Sequence, residues 1–259
     1  MHDLPLYMAF KLELSEGETL LELSLLMRDV PGALASVTKR IAEIGGDIKW
    51  GITHESGEEG KAWWCTFLVI REGDVDRLIE ALRKEENVID LHYTVHGRKD
   101  VFCSLHHNKL SVLGDRALIL RTGWMKRSFL LLKKHWGEET LKALLYLIGE
   151  DVGRGACRDH RAYLGRDPEE KDLDLCLCLM RSLGWISHGS WYREGDRFFF
   201  VIKDPFESIT MGSVSFLRGV LAGYISELTK RRCKCHEVNV EDDVHEFVVE
   251  PLFDEEAQL

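Results

Sequence analysis

The first half of the chain alternates short apolar runs with stretches whose apolar residues recur at helical spacing. Its first run, with Leu20, Leu21 and Leu23, alternates and then fills with leucine, which predicts a strand buried on at least one face. Later runs show the periods of strands and amphipathic helices in turn. The predicted order is βαββαβ, at residues 19–27, 33–44, 47–53, 63–70, 73–82 and 88–95.

This order is that of a ferredoxin-like sandwich, an α+β fold that serves many unrelated functions. Two motifs are more specific. The first follows the first strand and the second ends the first helix: Asp29-Val30-Pro31-Gly32-Ala33-Leu34 and Ile44-Gly45-Gly46-Asp47-Ile48. Together they resemble the D-x-P-G-x-L and G-x-N-I signature of ACT domains, over residues 18–97. The resemblance implies a regulatory module, commonly dimeric, that binds an amino acid or similar small molecule between its first strand–helix loop and a neighbouring subunit.

The ACT resemblance makes Asp29, Val30, Pro31, Gly32 and Asp47 the candidate ligand-binding residues of domain 1–97. Gly32 lets backbone N–H groups at a helix N-terminus approach a carboxylate, which the helix dipole also favours. Asp47 stands where the family usually has asparagine, and an anion there repels a carboxylate but accepts a hydrogen bond from an ammonium group. Alternatively, Pro31 and Gly32 only shape the turn, because many such modules only dimerise.

The second half begins after a polar, irregular stretch at 98–109, which we expect to be a linker. Beyond it, amphipathic helices alternate with strands. Two hairpins are predicted, at 185–202 and 233–251, each with a polar turn between two apolar or β-branched runs. Residues 110–259 are therefore expected to form a mixed α+β domain with an antiparallel sheet.

Two predicted helices of this domain carry glycines one turn apart, Gly149 with Gly153 and Gly219 with Gly223. Glycines at this spacing let another backbone approach closely, whether a helix or a ligand. These helices carry most of a resemblance to 4-vinyl reductase-like domains, which covers residues 110–252. The matching segments are 144–154, 183–186 and 216–224, together with Glu237 and 247–249.

Domains of the 4-vinyl reductase-like family are similar to small-molecule-binding modules. In bacterial activators that sense phenols, the family pairs a hydrophobic effector pocket with a zinc site of one glutamate and three cysteines. The resemblance implies a hydrophobic or aromatic ligand in this half. Its candidate ligand-binding residues are Gly149, Gly153, Trp185, Gly219 and Tyr224.

The zinc site of that family looks broken in this chain. Its glutamate matches Glu237, but its cysteine positions fall near residues that are not cysteine, one of them His245. A substitute zinc set is Cys233, Cys235 and Glu237 on one strand face with His245 across the hairpin, and all four are competent ligands. Residues two apart on a strand lie about 7 Å apart, so convergence needs a bend. The alternative is that the cysteines are small apolar residues beside a core.

A basic group, Arg154, Arg158, His160 and Arg161, lies beyond the Gly149–Gly153 pair. We expect a solvated helix end whose cations complement the helix dipole. The alternative is a contact with an acidic ligand or another subunit.

Net charge and cysteine content narrow the setting. A formal charge of −10 and a pI near 5.6 disfavour direct binding to nucleic acid or to anionic membranes. Seven cysteines are too sparse for a disulfide scaffold, and no segment approaches the roughly 20 apolar residues that span a bilayer. A cytoplasmic protein without a signal peptide is expected.

No dinucleotide fingerprint, phosphate loop or nucleophile elbow occurs, so we assign no catalytic residue and no certain cofactor. The resemblances predict a non-catalytic, homodimeric and allosteric sensor in transcription regulation, with an amino-acid-like ligand in the first half and a hydrophobic one in the second. Two alternatives remain open. One is a reductase or accessory enzyme of tetrapyrrole synthesis, and the other is a scaffold that acts through a partner transcription factor.

Overall fold

The computed structural model describes residues 9–97, 101–106, 110–112 and 115–252. The chain divides into two compact units, residues 1–111 and 112–259. Within the described part, none of the helices combines the length and the apolar character that crossing a bilayer requires.

The first unit has the predicted βαββαβ order, preceded and followed by a short strand. Its main sheet is antiparallel with strand order β3-β4-β2-β5, and the fold prediction for this half is confirmed. The elements are β1 (Ala9–Lys11), β2 (Glu18–Arg28), α1 (Ala33–Glu43), β3 (Asp47–Glu55), β4 (Lys61–Arg71), α2 (Val75–Arg83), β5 (Val88–His96) and β6 (Val101–Cys103).

Strand β2 is buried on both faces, which explains why its alternation fills with leucine. Leu21, Leu23 and Leu25 pack in the core with side chains of α1 and α2. The alternate residues, including Glu22 and Ser24, lie on the opposite face of the sheet, which carries no helix of this unit, and are nevertheless buried.

A segment at residues 101–106, named the strap here, covers part of that helix-free face. Its strand β6 pairs with β1, and its last residues bond to the buried carboxylate of Glu22. The Ser104 hydroxyl donates to Glu22 at 2.5 Å, and the backbone N–H of Leu105 donates at 3.0 Å. The sequence pattern placed the strap within the predicted linker at 98–109, whereas residues 101–106 belong to the first unit.

The second unit contains the predicted hairpins in one antiparallel sheet, with strand order β11-β12-β10-β9. The mixed α+β class with an antiparallel sheet is confirmed. Strand β7 (Leu110–Val112) lies where the chain passes from the first unit to the second. The elements of the second unit are then β8 (Asp115–Ala117), α3 (Thr122–Trp136), α4 (Glu138–Leu164), α5 (Leu173–Ser182), β9 (His188–Glu194), β10 (Arg197–Lys203), α6 (Phe206–Met211), α7 (Ser215–Thr229), β11 (Cys233–Glu241) and β12 (Val244–Pro251).

Helix α7 starts on a carboxylate from a different helix. Glu207 in α6 is 1% exposed and accepts backbone hydrogen bonds from Phe216 at 2.9 Å and Leu217 at 3.1 Å. These N–H groups have no partner within their own helix, so Glu207 caps it. Burial raises the pKa of Glu207 to about 7, although these backbone hydrogen bonds oppose the rise. No local pattern in the sequence predicted this cap, because helix and capping residue belong to separate elements.

Candidate functional site

Helices α4 and α7 touch backbone to backbone through their glycines. A methyl group placed on Gly149 would overlap the carbonyl of Phe216, and one placed on Gly219 would overlap the carbonyl of Tyr146. Gly153 meets α7 in the same way. The sequence left open whether a helix or a ligand approaches these glycines, and in the structure it is a helix. These three candidate glycines have helix backbone where a ligand would need space.

A pocket of about 180 Å³ lies beside this helix pair, between α4 and α5. Its wall is mostly apolar, and Trp185 closes one side while packing edge-on against Phe216 at 5.6 Å between ring centroids. The candidate residue Trp185 is thus a lining residue. The other lining residues are the exposed, charged Asp159 and a mainly apolar set: Val152, Ala156, Tyr163, Cys176, Leu179, Met180, Leu183 and Val220.

One buried polar pair lies at this pocket. His160, 4% exposed, is a lining residue, and its Nδ1 is 2.8 Å from the hydroxyl of Tyr224, which is 1% exposed. Burial lowers the pKa of His160 and raises that of Tyr224, so both groups are held in their neutral forms. The candidate Tyr224 therefore lies behind the pocket and supports His160, which the sequence pattern had placed in a basic group.

The basic group predicted near the end of α4 is not one surface cluster. His160 faces the core, and the arginines pair with separate acids, Arg154 with Glu150 and Arg158 with Glu227. Arg161 pairs with Asp167. Helical position explains the split, because residues 157 and 160 lie one turn apart on the buried face of α4.

In the first unit, the candidate residues at the start of α1 form an exposed turn. Gly32 has a φ of 89°, a left-handed conformation that favours glycine, and α1 has no side-chain cap. The N–H of Asp29 is bonded to the carbonyl of Gly60 at 2.8 Å, which holds the turn against the β3–β4 loop. Asp47 is exposed and pairs with Lys49, so its charge is compensated.

Solved structures resemble the two halves separately. No family model matches the chain, and no curated protein matches it. The phenol-responsive sensory domain of the transcription activator PoxR, determined with phenol, is 16% identical, covers 60% of this chain and 88% of its own, and has a TM-score of 0.49. A vinyl-4-reductase family protein from Methanocaldococcus jannaschii is 15% identical, covers 53% of this chain and 85% of its own, and has a TM-score of 0.39.

An ACT domain from the GTP pyrophosphokinase of Chlorobium tepidum is 17% identical, covers 30% of this chain and 99% of its own, and has a TM-score of 0.27. An ACT-like fold followed by a 4-vinyl reductase-like fold was expected from the motifs. The βαββαβ order and the mixed α+β unit with an antiparallel sheet that this expectation requires are confirmed by the strand pairing of the structure.

The four residues of the substitute zinc set do not come together. His245 Nδ1 donates to Glu237 at 2.5 Å, whereas Cys233 and Cys235 are buried in the core. Burial raises the pKa of Cys235 strongly and keeps it a thiol, while zinc binds the thiolate. Within the described ranges, no group of three or more His, Cys, Asp or Glu side chains is arranged to hold a metal ion. The set therefore does not fit zinc, for the spacing reason that the strand pattern indicated.

Proposed function

We propose that the protein is a small-molecule sensor whose second unit binds a small aromatic ligand in the pocket beside Trp185. The observation that carries this proposal is the buried His160–Tyr224 pair at a mostly apolar pocket, whose lining also includes the exposed Asp159. A binding pocket that is mostly apolar with one or two placed polar groups is the usual arrangement for small-molecule recognition. The volume suits one ring, since an apolar cavity of about 150 Å³ binds benzene.

The polar pair defines which aromatic compound fits best. When Nδ1 of His160 accepts a hydrogen bond from the Tyr224 hydroxyl, the single imidazole proton is on Nε2 and gives the pocket an N–H donor. A hydroxyl group on the ring of the ligand accepts from it. A carboxylate would be desolvated against apolar side chains and a neutral imidazole, so an aromatic acid is disfavoured. The proposed class is a small phenol-like compound.

Calorimetric titration of the full chain with phenol, toluene and benzoate tests this class. We expect phenol to bind about fivefold more tightly than toluene, because it makes one additional neutral hydrogen bond. We expect benzoate not to bind. Ala156→Leu fills the pocket without removing the polar pair and should abolish binding. Cys178→Leu adds a leucine at an exposed position of α5 and should leave binding unchanged. Equal affinity for all three compounds, or binding that survives Ala156→Leu, would contradict the proposal.

A second ligand, an amino acid at the start of α1, is proposed for the first unit. It is favoured by the uncapped helix N-terminus and the exposed Gly32. Backbone N–H groups there can donate hydrogen bonds to an α-carboxylate, and the helix dipole favours the anion. Asp47 lies opposite Val69, at the other end of β4 from Gly60, which contacts the turn, so Asp47 of the same chain is too far away to meet the ammonium group.

Thermal unfolding with each of the common amino acids tests this second ligand. A ligand at about 100 times its dissociation constant should stabilise the first unit by about 2.7 kcal/mol. Gly32→Ala should remove the effect. Gly57→Ala, at an exposed glycine with a similar φ of 81°, carries the same backbone strain and should retain it. If no amino acid raises the midpoint, or if both variants respond alike, the loop only shapes the turn.

Homodimer formation, allosteric coupling and a role in transcription stay predictions of the sequence. Coupling would require that each ligand prefers one of two global states.

A further inference from the structure

The helix-free face of the first unit carries a second pocket, distinct from the α1 turn. It has a volume of about 580 Å³ and is lined by residues of all four strands of the main sheet, with His106 of the strap on one side. Ser24 and Cys65 contribute from neighbouring positions of β2 and β4. Trp63 supplies an indole face beside His92, with the two rings 26° from parallel.

His106 organises the polar groups of this pocket. Its Nδ1 is 2.8 Å from the Ser24 hydroxyl and its Nε2 is 3.0 Å from the Thr94 hydroxyl. A neutral imidazole has one N–H and one bare nitrogen, so it donates to one hydroxyl and accepts from the other. The hydroxyl that accepts a hydrogen bond from the imidazole N–H can still donate its own O–H to a ligand. The other hydroxyl donates its O–H to the imidazole and offers a ligand only lone pairs.

This pocket therefore presents a donor and an acceptor side by side next to an aromatic face. Ser24 and Thr94 are diagonal neighbours on one face of paired strands, since Ser24 opposes His92 and Thr94 opposes Glu22. The group that complements a donor beside an acceptor is an amide edge, with its C=O next to its N–H.

The lining also selects against charge and against a protein partner. None of the described lining residues is Lys, Arg, Asp or Glu, so an anionic or cationic ligand would lose its hydration without a permanent countercharge. Three imidazoles, three hydroxyls and a thiol do not match the apolar centre that a second protein chain usually presents. A small, flat and polar molecule matches the pocket better.

We propose that the helix-free face of the first unit binds an uncharged, flat heteroaromatic molecule that carries an amide edge, with its ring on Trp63 and its amide edge on Ser24 and Thr94. Nicotinamide, uracil and hypoxanthine have these features and serve as probes. Because His106 belongs to the strap, an occupied pocket also holds the strap on the sheet.

Ligand-observed NMR saturation transfer on the full chain tests the site with a matched pair of probes. Nicotinamide and nicotinate share a ring and differ in having an amide or a carboxylate. We expect nicotinamide to bind at millimolar concentration and nicotinate not to bind. Thr94→Val, which keeps the shape but removes the hydroxyl, should weaken nicotinamide by about fivefold. Thr53→Val, at an exposed position of β3 on the other face of the sheet, should have no effect.

The second unit provides the control for location. Ala156→Leu, which fills the other pocket, should leave nicotinamide binding unchanged, so failure of the proposed phenol site and failure of this site are distinguishable. Trp63→Leu provides a second variant if Thr94→Val unfolds, and it too should weaken binding. Absence of binding by all three amide probes, equal binding of nicotinate, or loss of binding in Ala156→Leu alone would overturn the proposal.

Discussion

Gly223→Ala is expected to destabilise the second unit, with a loss of about 4 kcal/mol in its free energy of unfolding. A methyl group on Gly223 would overlap the carbonyl and Cα of Glu150 in α4. Backbone atoms at the centre of two long helices cannot move aside as the end of a side chain can. The helices would have to separate along their whole contact and give up the packing of their neighbours.

Gly155→Ala is the matched control for this prediction. Gly155 lies in α4 like Gly149 and Gly153, but nothing lies within 4 Å of a methyl group placed there. Alanine is the better helix former by about 1 kcal/mol, so this variant should be slightly stabilised. Urea unfolding followed by far-UV circular dichroism measures both. Similar stability of Gly223→Ala and Gly155→Ala would show that α4 and α7 do not pack at the distance described.

Glu22→Gln is expected to destabilise the first unit by about 3 kcal/mol at neutral pH. The groups around Glu22 are donors, among them the Ser104 hydroxyl, the Leu105 N–H and Nε2 of His96 at 3.2 Å. An amide places an NH₂ group where one carboxylate oxygen accepted, so buried donors lose their partner. The strap should then leave the sheet before the rest of the unit unfolds.

The effect of Glu22 also depends on pH, with a definite sign. Burial by itself would raise the pKa of Glu22, but the hydrogen bonds from Ser104 and Leu105 and the nearby His106 outweigh it, and the pKa is lowered. The stabilisation is therefore fully present above the pKa that glutamate has in the unfolded chain. It is lost as the pH falls through the lower pKa of the folded chain. The difference between the native chain and Glu22→Gln should narrow in acid.

Hydrogen–deuterium exchange resolved by peptide measures the loss of stability in each segment separately. Faster exchange is expected in the strap and in β5, and little change in the second unit. Glu80→Gln, an exposed glutamate on α2, makes the same chemical change outside the cluster and should lie within about 0.5 kcal/mol of the native chain. Equal exchange in the two variants would mean that Glu22 does not hold the strap.

The local sequence pattern was sufficient to predict the longer helices and strands, and a family resemblance was sufficient to name the aromatic residue at the second-unit pocket. The period of two in β2 and the helical repeat in α2 follow from which faces are buried, so both could be predicted from neighbouring residues alone. Trp185 was named as a candidate from a family resemblance, and it lines the pocket. The sequence also showed why Cys233 and Cys235 are poorly placed to bind one zinc ion, because the distance between residues along a strand is a local property.

The residues whose roles the sequence did not predict share one property: their hydrogen-bond partners are distant in the chain. His160 was grouped with nearby arginines, but its partner Tyr224 lies 64 residues away. Glu207 drew no attention as one acid among many, and its burial depends on where α7 begins. Glu22 is bonded to residues 82 and 83 positions further on, in a stretch that looked like a linker.

The sequence by itself determined the order of the longer helices and strands, the two glycine pairs and the turn at Gly32, because each depends on backbone conformation or on a period along one element. It did not predict the short elements β1, β6, β7 and α6, which have too few residues to show a period. The tertiary structure decided what the glycines touch, which charged or polar side chains are buried, and where two pockets form. Burial removes water from a group and obliges it to find a partner, and whether a residue is buried depends on the element that folds over it. The ACT-like and 4-vinyl reductase-like folds could therefore be anticipated from motifs, whereas the polar pairs at their pockets could not.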